Sequence, residues 1–115
     1  MKPLRSKLFV PIYAVTLYLS IGDDLKTERQ RYEAIFGETE DHPGEACCEY
    51  HEDNFGLFFS FGELTHGVIA HEVFHLTHLI MDWVECDFNH EAYAYLNNYL
   101  TDWVYDKLRK YHVEL

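Results

Sequence analysis

The chain has 115 residues and a mass of 13.7 kDa, with 48% apolar, 17% aromatic and 25% charged residues. Such a composition supplies one hydrophobic core, so a disordered, collagen-like or low-complexity chain is excluded and a single domain over residues 1–115 is expected. Nine Lys and Arg stand against 20 Asp and Glu, a formal charge of -11, which leaves no basic face for a phosphate backbone and excludes nucleic acid as an expected partner. The same charge permits one minority reading, an acidic decoy that mimics DNA.

Three cysteines, Cys47, Cys48 and Cys86, form neither an even framework nor a CxxC pair, and neighbours in a strand point to opposite faces. Free thiols fit a reducing compartment. Lys2, Arg5 and Lys7 precede an apolar run over residues 8–19 that copies the opening of a signal peptide. The run nevertheless contains Pro11, Tyr13, Thr16 and Tyr18, lacks a small-residue cleavage site and is too short to span a bilayer. A strand in a cytoplasmic protein with no membrane partner is the expectation.

In chain order, residues 8–21 read as one strand covered on both faces, rich in β-branched and aromatic side chains. Gly22 breaks it, Asp23 or Asp24 can cap the next N-terminus, and Leu25, Tyr32, Ile35 and Phe36 mark one side of a helix ending at Gly37. Residues 38–45, with His42-Pro43-Gly44 among acids, read as a solvated loop. Residues 46–51 and 55–61 flank the turn Glu52-Asp53-Asn54 and should pair as a hairpin. From 68 to 84 the apolar residues recur at helical spacing, through Val68, Ile69, Val73, Phe74, Leu76, Ile80, Met81 and Val84. Asn89 can cap a last helix over residues 90–111. The expected fold is α+β, a small antiparallel or mixed sheet of about three strands backed by three helices.

The second of these helices carries His71-Glu72-Val73-Phe74-His75, the pattern HExxH. Residues four apart lie on one side of a helix, so both imidazoles can reach one tetrahedral metal while Glu72 projects beside it without becoming a ligand. Zinc lowers the pKa of a bound water towards 7, and a neighbouring carboxylate can take its proton and pass it to a leaving amine. Imidazoles in an otherwise apolar helix cost free energy unless they are bonded or metallated. A catalytic zinc needs a third protein ligand and an open position. Glu91, sixteen positions after His75 at the start of the last helix, is the expected one, with His90 and Asp87 as neighbouring candidates. His78, at i+7 from His71, lies too far along the axis to share the ion. Glycine is missing at position 78 and histidine at 81, which excludes the metzincin pattern.

The stretch Gly67-Val-Ile-Ala-His71-Glu72-Val-Phe-His75, followed by Asn89-His-Glu91-Ala-Tyr-Ala-Tyr95-Leu, resembles the small zincin-like metallopeptidases of phages and mobile elements. It is also similar to minimal gluzincins, with HExxH on one helix and a glutamate on the next. The resemblance covers roughly residues 62–100. It implies a compact zincin-like domain with Zn2+ held by His71, His75 and Glu91 between the second and third helices, Glu72 as general base, and a bacterial or phage-infected cell as its setting. Where many gluzincins place an acid four residues after the third ligand, this chain has Tyr95.

Tyr95 could donate to an oxyanion in the transition state, and His66 could reach the site from the preceding turn. The strand over 55–61 could serve as the cleft edge to which an extended peptide adds. The expected function is zinc-dependent hydrolysis of a peptide or protein amide, with a protein partner completing a shallow cleft. The alternative is an inactive zincin scaffold that acts as a phage-type structural, binding or inhibitor protein.

Overall fold

A computed structural model describes residues 2–38 and 46–115. The order is β1 (Leu4–Val10), β2 (Val15–Gly22), α1 (Leu25–Gln30), α2 (Glu33–Phe36), β3 (Ala46–His51), β4 (Asn54–Ser60), a 3-10 turn (Phe61–Glu63), α3 (His66–Trp83) and α4 (His90–Lys110). The α+β class holds, with a mixed sheet of four strands and four helices where about three of each were expected. The solvated loop expected at 38–45 lies almost wholly outside the described residues.

The extra strand comes from residues 8–21, which fold as a hairpin. Val10 pairs with Val15 and Leu4 with Ile21, and the chain reverses through Pro11–Ala14, where Ala14 takes φ 52°. Pro11 can enter a turn but cannot donate to a central ladder. The expected single helix over 25–37 is two short ones, because the chain turns at Arg31 and Tyr32 before α2 ends at Gly37 with φ 85°. Asp24 caps α1 by accepting from the Thr27 backbone at 3.1 Å, and Asn89 caps α4 by accepting from Glu91 and Ala92.

The sheet runs β1-β2-β4-β3. β2 and β4 are parallel, and both outer pairings are antiparallel. Because side chains alternate, Tyr18, Ser20 and Phe58 face α1 and α2. Here Tyr32 packs tilted and Phe36 edge-on against Phe58, with centroids at 5.2 and 5.9 Å. Glu28 is buried beneath this layer, where it accepts from Ser20 Oγ at 2.6 Å and pairs with Arg5. Arg29, also buried, donates to the carbonyls of Phe36 and Gly37 at 3.3 Å and so closes the end of α2.

The opposite face carries Val15, Leu17, Leu19, Ile21, Phe55, Leu57 and Phe59, all fully buried. They form one core with Ile69, Val73, Leu76, Ile80 and Met81 of α3 and Leu96, Leu100, Val104 and Leu108 of α4. Apolar burial of this kind is the main favourable contribution to folding. α3 lies across β3 and β4, and α4 packs on α3. Within the described residues no helix is long and apolar enough to cross a membrane.

Candidate metal centre

α3 starts at Thr65, whose side chain accepts from the Val68 backbone at 3.1 Å. Its apolar stripe of Ile69, Val73, Leu76, Ile80 and Met81 sets its rotation, and Thr77 adds a polar tie to α4: its hydroxyl lies 2.9 Å from the Asn97 side-chain oxygen. The neighbouring stripe therefore turns towards β3. On that stripe stand His71 and His75, with Nε2 atoms 3.1 Å apart. Two ligands of one tetrahedral zinc, at ~2.0–2.1 Å from the ion, would be separated by about 3.3 Å. The pair therefore has the spacing of two donors to one ion, and the same separation lets one imidazole N–H hydrogen-bond to the other ring.

Glu72 lies beside the pair and is 7% exposed. Burial pushes its carboxyl above the ordinary range, against the pull of His71 and His75. Opposite stands β3, the last described strand of the sheet. Its register with β4 places Cys48 across from Leu57 and Tyr50 across from Phe55, so Ala46, Cys48 and Tyr50 share the face that α3 covers. A groove of about 510 Å³ runs between α3 and β3, lined by His71, Glu72, His75, His78 and Leu79 on one side and by Ala46, Cys48 and Tyr50 on the other. Burial, with Glu72 next, pushes the Cys48 thiol up; burial also raises Cys47, to about 12. All three cysteines are free.

The structure brings together His71, Glu72 and His75 and separates the other expected members. Among the described residues no group of three or more His, Cys, Asp or Glu could hold a metal ion. Glu91 is exposed in the first turn of α4. The contacts Thr77–Asn97 and His66–Tyr105 set the antiparallel register of the two helices. That register places Glu91 level with the last turn of α3, about 9 Å along the axis beyond His75 and about 15 Å beyond His71 at 1.5 Å per residue. His71 and His75 are the sixth and tenth of the 18 residues of α3, and a short antiparallel reversal carries the start of the next helix past the other end. Accordingly the pair opens on the α3–β3 groove rather than on a space between the last two helices.

Of the neighbouring candidates, His90 meets Phe88 edge-on at 4.7 Å, Asp87 acts on Tyr93, and His78 lines the groove while its ring contacts Tyr93 at 5.0 Å. Tyr95 is 72% exposed and lies with Tyr99 against the β1–β2 turn, at a separate hollow lined by Val10 to Tyr13. His66 is held by Tyr105 at 2.6 Å. The strand over 55–61, expected at the cleft edge, is the interior strand β4, paired on both sides; the edge position belongs to β3. The alternation Ala46, Cys48, Tyr50 was the available signal for that wall. It needed the pairing with β4 to say which alternation faces α3.

No protein family, no curated protein and no solved structure matches this chain.

Proposed function

We propose that the chain is a zinc-dependent hydrolase that cleaves peptide or protein amides. The reading rests on one observation: His71 and His75 converge to 3.1 Å with a buried carboxylate, Glu72, beside them, on the wall of an open groove. His71 and His75 would hold Zn2+ through Nε2; among the described residues no third His, Cys, Asp or Glu joins them. Bound there, the ion would polarise the scissile carbonyl and make water acidic enough to attack at neutral pH.

The chain's own groups do the rest. Glu72 takes the proton of the attacking water on its carboxylate and delivers it to the departing amine nitrogen. Among the described residues no strand pairs with the outer edge of β3, and an extended peptide can add there as a further strand. Metal analysis combined with a peptide-cleavage assay on wild-type protein and Glu72→Gln tests the reading. It fails if wild-type protein takes up no zinc, or if Glu72→Gln cleaves as fast as wild type.

A binding scaffold without turnover is the second reading. It is favoured by the large aromatic side chains left on the surface, Tyr95 at 72%, Phe88 at 64% and Phe74 at 57% exposure. Tight zinc binding with no cleavage of any peptide would select it.

A further inference from the structure

Next to the groove, between α3 and α4, rings follow one another in close contact. Centroids are 4.4 Å apart for Phe74 and His78, 5.0 Å for His78 and Tyr93, 5.0 Å for Tyr93 and Phe88, and 4.7 Å for Phe88 and His90. These five rings surround a hollow of about 240 Å³ with Thr77 and Asn97 at its base. Phe74 and Phe88 keep more than half of their surface exposed, so ring surface remains open to a ligand.

Charge decides what kind of ligand fits. The 75 residues between Arg31 and Lys107 hold 16 of the chain's 20 Asp and Glu and no Lys or Arg. Asp82 and Asp87 lie close enough to the Tyr93 phenol to raise its pKa, after the larger effect of burial. An aromatic hollow would accept any apolar side chain. One with Asp82 and Asp87 beside it favours a cation, whose charge is attracted by both the rings and the carboxylates.

We propose that this hollow binds the guanidinium of an arginine side chain in a partner peptide. Guanidinium is planar and weakly hydrated, so it can stack on Phe88 or Phe74 and still direct N–H groups towards Asp87. His78 lines both the hollow and the α3–β3 groove. A peptide lying along β3 would therefore place an arginine here as its specificity-determining residue. That last step rests on the peptidase reading above; the arginine site itself does not.

The test separates the two. Full-length protein is titrated with N-acetyl-arginine amide, and with the uncharged N-acetyl-citrulline amide and N-acetyl-norleucine amide, by amide and aromatic NMR shifts. The expected result is saturable shifts at Phe74, His78, Phe88 and Tyr93 with the arginine amide only, weakened by added salt. Phe88→Ala and Asp87→Asn should each weaken binding about fivefold, the scale of one cation–π or surface charge contact. His71→Ala, which removes one of the paired imidazoles, should bind the arginine amide as wild type does, so loss of peptidase function and loss of this site are distinguishable. Equal binding of the citrulline or norleucine amide, shifts centred elsewhere, or unchanged binding in both Phe88→Ala and Asp87→Asn would overturn the proposal.

Discussion

His66 Nδ1 and the Tyr105 hydroxyl lie 2.6 Å apart, with their rings stacked at 5.6 Å. The contact ties the first turn of α3 to the C-terminal part of α4. With Thr77–Asn97 further along, it fixes how α3 is rotated and therefore that His71 and His75 face β3. Tyr105→Phe keeps the stacked ring and removes the hydrogen bond. It should lower stability by about 0.5–1 kcal/mol, the low end for a bond at an exposed site, as read by urea denaturation.

Zinc uptake should follow the α3 pair and not α4. His71→Ala and His75→Ala should each weaken zinc binding by more than about a hundredfold, beyond the usual effect of losing a supporting residue. Glu91→Gln should leave it within error of wild type. Isothermal titration with zinc on chelator-treated protein measures all three, and a large loss in Glu91→Gln would contradict the helix register.

Glu72→Gln conserves size and removes proton uptake. The variant should bind zinc as wild type does and show an unchanged thermal midpoint or a higher one in metal-free protein, because it no longer buries an ionisable carboxyl. Amide hydrolysis should fall by roughly 10²–10⁴-fold, the usual contribution of a positioned general base. Single-turnover assays at matched zinc occupancy give the comparison.

Asp24 supplies an acid-side pH dependence. The Thr27 side chain and backbone donate to its carboxylate at 2.5 and 3.1 Å and hold its pKa below the ordinary 3.8. A lowered folded-state pKa means the folded chain binds fewer protons than the unfolded one, so this contribution is present above 3.8 and is lost as pH falls through the lowered value. Asp24→Asn should lower stability slightly in the neutral region and flatten the acid limb, so that the two proteins converge below the lowered pKa. Thermal midpoints measured from pH 2 to pH 7 for both proteins give the comparison.

The Cys47 and Cys48 thiols are raised by burial, and the reactive species is the thiolate. Neither should be alkylated by iodoacetamide at neutral pH in the folded protein, and both should react once it is unfolded in urea. Peptide mass mapping reads the outcome; rapid labelling of Cys48 in the folded state would mean that the wall of the groove opens.

Much of this architecture was legible in the chain. The caps at Asp24 and Asn89, the hairpin over 46–61 and the two long helices carry local signals, because capping and apolar periodicity act over a few residues. The β1–β2 turn was hidden because Ile12 and Tyr13 continue the apolar run, although Ile12 is 81% exposed, and Ala14 gives no hint of its positive φ. At the site, His71, Glu72 and His75 converge because one helix turn determines their spacing. The placements of Glu91 and Tyr95 depend on how α4 is laid against α3 and on which side of it meets the β1–β2 turn. Neither can be read from spacing along the chain.

The central parallel pairing has a kinetic consequence. β1 and β2 meet through a four-residue turn, and β3 and β4 through a two-residue one, so each can zip locally. Joining them requires Thr16 to find Asn54 across an intervening segment that must first wrap over the sheet, and closing so long a loop is entropically slow. Refolding should thus pass through two independently formed ribbons, with the seam between them as the last backbone ladder to gain protection from hydrogen exchange.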